Sequence, residues 1–273
     1  MGAEKPPPTI VFSHANRFPS GTYRVIFEQW RAAGFTVHAI EKFGHDPRFP
    51  VTSNWPHLRD QLFEFTRREA DGPVFLVGDS LGGYLSLMAA SRRPDLALGV
   101  VLLDSPLISG WKARALQVVK VAGLGDRVTP AKVSVRRRDQ WHSSTGAFEH
   151  FASKPAFARW APGVLAAYIK CGTEPQGKGR GLAFDRAIET AIYTSLPHHL
   201  ARVLRTHPLQ CPLAFARGTE SEEVKRVGMA ATTRLAHGRV SRIKGSHLYP
   251  FEHPQETAAE VLRWIGLMQT PRL

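Results

Sequence analysis

The stretch Gly78-Asp79-Ser80-Leu81-Gly82-Gly83 decides the fold of this 273-residue chain. The short apolar run at residues 73–77 precedes it, and its length and composition predict a buried strand. Residues 84–93 follow with a helical pattern that Pro94 ends. A serine flanked by glycines at a sharp strand-to-helix turn has its hydroxyl lifted clear of the sheet. The context therefore predicts a nucleophile elbow with Ser80 at its tip.

The glycines of this pattern have a steric reason. A side chain at Gly78 or Gly82 would collide with the neighbouring strand or helix, so both positions need a residue without Cβ. Leu81 begins the helix, and its backbone N–H faces any negatively charged oxygen that forms on a substrate bound to Ser80. The turn therefore predicts one of the two donors of an oxyanion hole.

Apolar strands alternate with helical patterns along most of the chain. Strands are expected at residues 9–12, 35–40, 74–77, 98–103, 213–217 and 239–243. Helices are expected at residues 23–33, 53–69 with Ser53 as a cap, 84–93, 224–236 and 255–267. Uninterrupted apolar strands between helices predict an α/β fold, with a mostly parallel sheet that helices cover on both faces.

Residues 106–208 break this rhythm, because they contain helical patterns and loops but no clear strand. We interpret them as a helical cap inserted over the carboxyl edge of the sheet, within a core domain of residues 1–105 and 209–273. Within it, residues 177–181 (Gly-Lys-Gly-Arg-Gly) lack the pattern of a phosphate-binding loop, which favours a flexible surface loop.

The predicted cap is rich in aromatic residues. They are Trp111, Trp141, Phe148, Phe151, Phe157, Trp160, Tyr168, Phe184 and Tyr193. We expect most of them to form the core of the cap and a few to line a pocket over Ser80 for an apolar acyl or aromatic group. Lys154, Arg159 and Arg186 are candidates for binding a substrate carboxylate, although surface charge is the favoured interpretation of each.

The chain has a formal net charge of +13, which raises the question of a nucleic-acid partner. The charge is scattered, its only tight cluster is residues 136–138, and no nucleic-acid-binding motif accompanies it. A protein that uses arginine as its common surface residue would have the same excess of positive charge. We therefore predict no nucleic-acid partner.

The amino-acid composition limits further which class of protein this chain can belong to. Hydrophobic residues make up 43% of the chain and charged residues 22%, which is ordinary for a globular protein. No apolar run approaches the roughly 20 residues of a membrane span, and no secretory signal is visible. Cys171 and Cys211 lack metal-ligand spacing and are expected to be packed or free thiols rather than a disulfide bridge. These absences favour a cytoplasmic protein, and no pattern predicts an oligomeric state.

Three motifs together resemble the α/β-hydrolase family. They are Phe12-Ser13-His14-Ala15-Asn16 after the first strand, the turn at Ser80, and Gly245-Ser246-His247-Leu248-Tyr249-Pro250 before the last helix. The resemblance spans essentially the whole length outside the predicted cap. The family's chain order is serine, acid, histidine, which implies Ser80 as nucleophile and His247 as base. The first motif resembles the family's His-Gly turn, with Ala15 in place of glycine, and implies Asn16 N–H as the second oxyanion-hole donor.

The chemistry of such a site needs a base and an acid beside the serine. A serine hydroxyl is a weak nucleophile without an adjacent base, and histidine fits because its pKa lies near neutrality. His253 is a weaker candidate for the base because it adjoins Pro254. His14 is expected to be a hydrogen-bonded structural residue, and residues 198–199 are expected to end a helix.

Two positions compete for the acid. The family's usual position follows the strand at 213–217, and Ser221 occupies it here, flanked by Glu220, Glu222 and Glu223. The other position is the end of the strand after the nucleophile helix, which carries Asp104. Both sites converge on the same histidine in the family. We favour Asp104 and keep the three glutamates open.

The resemblance implies a serine hydrolase that cleaves small to medium carboxylic esters through an acyl-enzyme, without a metal or organic cofactor. Thioesterase, lactonase and C–C bond hydrolase are alternatives on the same fold. Haloalkane dehalogenases and epoxide hydrolases are disfavoured, because their nucleophile is an aspartate. A non-catalytic ligand-binding protein would be expected to have a broken elbow or base, and both are intact here.

Overall fold

The computed structural model describes residues 7–122, 131–135 and 137–270. Six of its strands form one parallel sheet in the order β2-β1-β3-β4-β8-β9, and three form a small antiparallel sheet in the order β5-β7-β6. In chain order the strands are β1 (Thr9–Ser13), β2 (Thr36–Ala39), β3 (Val74–Asp79), β4 (Ala97–Leu103), β5 (Gln140–Trp141), β6 (Thr173–Gln176), β7 (Gly179–Leu182), β8 (Leu213–Gly218) and β9 (Val240–Ile243).

The helices cover the large sheet and build the segment between β4 and β8. They are α1 (Arg24–Ala32), α2 (Pro56–Glu69), α3 (Leu81–Arg92), α4 (Gly110–Val121), α5 (Ala131–Val135), α6 (Ser144–Ala152), α7 (Pro155–Ala158), α8 (Val164–Gly172), α9 (Arg186–Thr194), α10 (Leu200–Thr206), α11 (Glu222–Val227), α12 (Ala230–Leu235), α13 (Tyr249–Glu252) and α14 (Pro254–Gln269). Short 3-10 turns lie at Ser20–Tyr23 and Pro94–Leu96.

Two hydrophobic cores lie on opposite faces of the large sheet, as the alternation along β1 shows. Ile10 and Phe12 pack with buried residues of α1 and α14, whereas Val11 packs with buried residues of α2 and α3. Successive strand side chains point to opposite faces, so each face of a buried strand needs its own apolar cover. The predicted α/β fold, with a mostly parallel sheet covered by helices on both faces, is confirmed.

Two helices differ from the sequence-based expectation, one in where it begins and the other in its continuity. Helix α2 begins at Pro56 rather than at Ser53, because Trp55 has a left-handed backbone (φ 59°) and proline fits the first helical position. The helix expected at 224–236 is interrupted at Gly228, whose φ of 85° and ψ of 165° lie outside the helical region. The chain there forms the two short helices α11 and α12.

The segment between β4 and β8 contains helices α4 to α10 and also the small antiparallel sheet. The expectation of no strand there was wrong. Residues 177–181 are the turn and part of the second strand of a hairpin, in which Thr173 pairs with Leu182 and Gln176 with Gly179. The sequence gives no strand signal because these strands are short, polar and rich in glycine, without apolar alternation.

Some sequence features fall partly outside the described residues. Residues 1–6, on which the expectation of no secretory signal was based, and Arg136 of the basic cluster lie outside them. Cys171 and Cys211 are free, as expected. Among the helices that the structure describes, none has both the length and the hydrophobicity to cross a membrane.

Candidate active site

Ser80 occupies the sharp turn between β3 and α3. Its backbone has φ 51° and ψ −110°, a strained conformation for a residue with a side chain. A Cβ at Gly78 would collide with the backbone of Gly82, and a Cβ at Gly82 would collide with the carbonyl group of Ser13 in β1. The steric reason predicted for both glycines is therefore present. The turn is held because α3 packs at van der Waals distance against both β3 and β1.

The structure brings three of the predicted site residues together. The Nε2 atom of His247 lies 3.1 Å from Ser80 Oγ, and its Nδ1 atom lies 2.6 Å from Asp104 Oδ2. Asp104 directly follows β4 and is almost fully buried. His247 lies in the loop between β9 and α13. These residues come from three separate strand ends, which meet because carboxyl ends of parallel strands share one edge of the sheet.

Asp104 accepts hydrogen bonds on both carboxylate oxygens. The N–H of Gly218 donates to Oδ1 at 2.8 Å, and the Ser221 hydroxyl donates to Oδ2, the oxygen that also contacts His247. Ser221 in turn caps α11 by accepting the N–H of Val224 at 3.1 Å. Ser221, which occupies the family's usual position for the acid, therefore lies beside the carboxylate of Asp104.

The three glutamates near Ser221 lie farther from the ring of His247 or are otherwise paired. Glu220 forms an ion pair with Arg159 at 2.9 Å, and Glu222 forms one with Lys225 at 2.6 Å. Glu223 is the nearest of the three, with Oε2 at 3.7 Å from His247 Nδ1. Only Asp104 forms a hydrogen bond with the ring among these four carboxylates.

The loop of His247 is held by a buried carboxylate that the sequence did not single out. Glu252 in α13 accepts the Ser246 N–H at 3.0 Å and the Ser246 hydroxyl at 2.6 Å. The phenol of Tyr249 donates to the Ala216 carbonyl at 3.0 Å and ties the same loop to β8. These bonds fix the backbone on both sides of His247, so the ring is held against Ser80.

The electrostatic surroundings of His247 favour its charged form. Burial of the ring opposes protonation, but the hydrogen bond and charge of Asp104, with the nearby carboxylates of Glu223 and Asp79, raise its pKa to about 9. His14 shows the opposite case, because burial lowers its pKa to about 4. His14 bonds the Ala15 carbonyl at 2.7 Å and accepts the Phe43 N–H at 3.0 Å, as expected for a structural residue.

The turn after β1 carries the other predicted oxyanion donor. Within the described part of the chain, neither Asn16 N–H nor Leu81 N–H has a hydrogen-bond acceptor, so both remain available to a substrate. The Ala15 N–H donates to the Tyr23 hydroxyl at 3.1 Å, and that hydroxyl donates to Asp79 Oδ2 at 2.7 Å. This chain of bonds ties the turn to the end of β3, beside Ser80.

Asp79 directly precedes Ser80, and the sequence analysis gave no role to it or to its partner Tyr23. Burial raises the pKa of Asp79 to about 7, and its Oδ1 atom has no hydrogen-bond partner among the residues described. Tyr23 lies in a short 3-10 turn with no motif of its own, so nothing local indicates its role. The hydrogen bond between Tyr23 and Asp79 forms only in the folded chain, where the 3-10 turn lies beside the end of β3.

A cavity of about 360 Å³ opens over Ser80. Its walls come from the turn after β1, from the segment between β4 and β8, from the loop after β8 and from the loop of His247. The lining residues are 15–18, Ser80, Arg137, Glu189, Tyr193, Glu220, Glu222, Glu223 and 246–248. The segment predicted to be a cap therefore contributes directly to the space above the serine.

Most of the nine aromatic residues of the predicted cap lie away from this cavity, and fewer line it than expected. Tyr193 is the only one of the nine in its wall. Trp141, Phe151, Phe157, Trp160, Tyr168 and Phe184 are buried in the two hydrophobic cores, and Trp111 and Phe148 are exposed. Phe18, Leu248 and the ring of Tyr193 supply the apolar part of the wall, and charged side chains supply much of the rest.

The cations considered for a substrate carboxylate do not line this cavity. Arg159 forms ion pairs with Glu220 and Glu252, Arg186 forms one with Asp139 at 2.8 Å, and Lys154 lies over the ring of Phe151. The arginines that do line it are Arg17 and Arg137, which the sequence analysis did not single out.

Asp104, Glu223 and His247 also form the one cluster of three potential metal ligands found among the described residues. Their ligand atoms lie within 4.8 Å of one another. A cation there would have to displace the hydrogen bond between His247 Nδ1 and Asp104 and would turn the ring away from its role beside Ser80. The absence of a metal cofactor stays a prediction.

The fold and this arrangement define a hydrolase of the α/β class. The sequence matches the profile of the alpha/beta hydrolase family over residues 10–260. The chain belongs to this family.

Curated relatives match only part of the chain. A monoglyceride lipase of Rattus norvegicus is 28% identical over 141 residues, which cover 49% of this chain and 46% of that protein. Lipase LipV of Mycobacterium tuberculosis is 30% identical over 134 residues, 40% of this chain and 48% of that protein. The chain thus spans about half the length of these curated relatives.

Solved structures resemble the chain over nearly its whole length. E-2-(acetamidomethylene)succinate hydrolase has a TM-score of 0.76 at 22% identity, and the match covers 95% of this chain and 91% of that one. The thioesterase domain from the curacin biosynthetic pathway has a TM-score of 0.70 at 18% identity, covering 94% and 91%. At such identities the likeness establishes the fold.

Proposed function

We propose that the protein is a serine hydrolase that cleaves carboxylic esters of small to medium substrates, with Ser80 as nucleophile, His247 as base and Asp104 as acid. The observation that carries the proposal is the pair of contacts made by His247, 3.1 Å to Ser80 Oγ and 2.6 Å to Asp104 Oδ2. Relatives named as lipases support an ester as the substrate. The division into a core of residues 1–105 and 209–273 and a cap of 106–208, and a cytoplasmic location, belong to the same proposal.

The first half of the reaction forms an acyl-enzyme. Ser80 Oγ attacks the ester carbonyl while His247 Nε2 accepts its proton, and the Asp104 carboxylate stabilises the resulting imidazolium. The N–H groups of Asn16 and Leu81 donate to the tetrahedral oxyanion, each contributing about 3–4 kcal/mol to lowering the barrier. As the intermediate collapses, His247 returns the proton to the alkoxide and the alcohol leaves.

The second half releases the acid. His247, neutral again, accepts a proton from a water molecule that attacks the acyl carbonyl, and the same two N–H groups hold the second oxyanion. Collapse breaks the bond to Ser80 Oγ, which takes the proton back from His247. Phe18, Leu248 and the ring of Tyr193 offer an apolar surface to the acyl or aromatic part of the substrate.

The simplest test of the proposal uses the unmodified protein. We expect hydrolysis of p-nitrophenyl esters in a chain-length series, and labelling of a single serine, Ser80, by a fluorophosphonate identified by peptide mass spectrometry. Chelation of divalent metals is expected to leave the rate unchanged. A protein that neither hydrolyses esters, thioesters or lactones nor reacts with the fluorophosphonate would instead be a non-catalytic ligand-binding member of the fold.

Thioesterase, lactonase and C–C bond hydrolase activities use the same three residues. The structural likeness to a thioesterase domain rests on the fold and does not select among these substrates. Parallel assays with an acyl-thioester and a lactone of matched acyl length separate them, because the leaving group is the only part that differs.

The raised pKa of His247 predicts an alkaline pH dependence. A protonated ring holds its proton at Nε2 and cannot accept one from Ser80, so activity requires the neutral form. Because the pKa is raised to about 9, kcat/KM for a neutral ester is expected to increase with pH and to reach half its maximum near that value. The measurement is a pH profile of kcat/KM at constant ionic strength.

The Glu223→Gln variant tests the electrostatic cause. Its carboxylate is one of the charges that raise the pKa of His247, so the midpoint of the profile is expected to move to lower pH. Glu222→Gln is the matched control, since Glu222 forms its ion pair with Lys225 and is not among those charges. A midpoint that moves to higher pH in Glu223→Gln, or moves equally in both variants, contradicts this account.

A further inference from the structure

One wall of the cavity over Ser80 carries an arginine that forms no ion pair with any residue that the structure describes. Arg17 lines the cavity directly after Asn16, and among the described residues its guanidinium makes neither an ion pair nor a hydrogen bond. It lies over the ring of Phe18, 4.5 Å from the centroid. Its backbone is left-handed, with φ 72°, which is unusual for a residue with a long side chain. The fold therefore holds a cation with free donors at the entrance to the oxyanion turn.

A second arginine in the same wall is buried. Arg137 pairs with Glu189 at 2.7 Å, and the exposed fractions of the two side chains are 7% and 1%. The second carboxylate oxygen of Glu189, Oε2, has no hydrogen-bond partner in the described part of the chain, and neither has the buried Oδ1 of Asn16. Both atoms are acceptors, so they would pair with a hydrogen-bond donor of a ligand, and the guanidinium groups are the donors that this wall offers to an anion.

The charges of the cavity are divided between its walls. Among the three charged residues of this wall, Arg137 is paired with Glu189 and Arg17 interacts with both, which leaves one positive charge in excess. In the loop after β8 and the start of α11, Glu220 and Glu222 are paired with Arg159 and Lys225, and Glu223 lies beside His247. A negatively charged group is therefore attracted to the arginine wall and repelled from the side of His247.

We propose, on the basis of the function proposed above, that Arg17 and Arg137 form a subsite for a carboxylate on the acyl part of the ester. The preferred substrates are then half-esters of short dicarboxylic acids. Guanidinium groups bind carboxylates through paired, charge-assisted hydrogen bonds. The leaving alcohol must lie beside His247, which protonates it, and Glu223 disfavours an anion there. The acyl part extends past Asn16, toward Arg17.

The experiment compares three methyl or acetyl esters of similar size. Monomethyl glutarate carries the carboxylate on the acyl part, methyl valerate carries none, and acetoxyacetate carries it on the alcohol part. We expect kcat/KM for monomethyl glutarate to exceed that for the other two by about tenfold or more. Equal or faster hydrolysis of methyl valerate overturns the subsite, and preference for acetoxyacetate overturns its assignment to the acyl side.

The Arg17→Gln variant assigns the preference to this residue. It is expected to reduce kcat/KM for monomethyl glutarate by about tenfold, mainly through KM, and to leave methyl valerate nearly unchanged. Arg138→Gln is the matched control, because Arg138 adjoins Arg137 but does not line this cavity. A uniform loss for all three esters in Arg17→Gln would mean that Arg17 has only a structural role.

Arg137 needs a paired variant, because its removal alone leaves Glu189 buried without its partner. The double variant Arg137→Gln with Glu189→Gln keeps the buried pair neutral and is expected to lose the preference for monomethyl glutarate while retaining hydrolysis of methyl valerate. Retention of the full preference in this folded variant excludes Arg137 from the subsite.

A binding measurement separates this inference from the proposed function. Glutarate is titrated into the Ser80→Ala protein by calorimetry, and the dissociation constant is expected to rise about tenfold when Arg17→Gln is added. If no ester is hydrolysed but this binding difference is present, the subsite stands and the proposed function fails. If esters are hydrolysed and glutarate binds neither protein, the function stands and the subsite is wrong.

Discussion

Replacing Ser80 by alanine is expected to lower the turnover of ester hydrolysis by up to about a millionfold, if the three site residues act as a unit. The variant keeps the neighbours of the turn but removes the Ser80 oxygen, which lies 3.1 Å from His247 Nε2. No acyl-enzyme forms without that oxygen. Turnover of the best p-nitrophenyl ester measures the loss.

The fold of the Ser80→Ala protein is expected to be nearly unchanged. The turn is held by the close approach of Gly78 and Gly82 to their neighbours and by the Ser105 hydroxyl, which donates to the Ser80 carbonyl at 2.9 Å. None of these contacts uses the Ser80 hydroxyl. A melting temperature close to that of the wild type is the control. Persistent fluorophosphonate labelling in this variant would identify a different nucleophile.

The fold was predictable because its signals are local. The apolar run before Ser80, the two glycines and the helix after them each constrain a few adjacent residues, and together they specify one turn. The other buried strands were visible as apolar runs for the same reason. The hairpin of β6 and β7 was not visible, because its strands are stabilised by their pairing with each other and carry no apolar alternation.

The site was predictable only in part. Ser80 and His247 could be located because each lies in a short motif at the end of a strand. Asp104 could be favoured as the acid but the glutamates stayed open, since Asp104 and the residues around Ser221 occupy two strand ends that both approach the same ring. The arginine wall could not be foreseen either, because Arg17 and Arg137 are 120 positions apart and neither belongs to a motif.

The largest effect after the loss of Ser80 is expected for Asp104→Asn, with turnover falling by about ten-thousandfold. The substitution keeps the size of the side chain and removes its charge. Asparagine also tolerates the left-handed backbone of this position, where φ is 46°. The stability of the variant is therefore expected to change little compared with its turnover, and thermal unfolding measured alongside the kinetics checks this.

The hydrogen bonds of Asp104 explain why the loss should be so large. The N–H of Gly218 donates to Oδ1, so the amide of asparagine keeps its oxygen there and places its NH2 group at the position of Oδ2. That NH2 group faces Nδ1 of His247, which must then accept rather than donate. The ring is left with its proton on Nε2, facing Ser80, and cannot act as a base.

The neighbouring carboxylates provide the contrast that makes this prediction decisive. Glu220→Gln, Glu222→Gln and Glu223→Gln are expected to have modest effects on maximal turnover. A collapse in one of them, with Asp104→Asn near normal, would assign the acid to the loop after β8. If no single variant has an effect, two carboxylates substitute for each other and a double variant identifies them.

A second substitution, in the loop after β8, can return a negative charge to the surroundings of His247. The Ser221 hydroxyl contacts Asp104 Oδ2, and Ser221 caps α11, a position that aspartate also fills well. Adding Ser221→Asp to Asp104→Asn therefore places a carboxylate close to His247 Nδ1 and is expected to recover part of the lost turnover. Recovery would mean that catalysis requires a negative charge beside the ring of His247, whether that charge comes from the position after β4 or from the loop after β8. No recovery in a folded double variant would mean that the precise geometry at Asp104 is required.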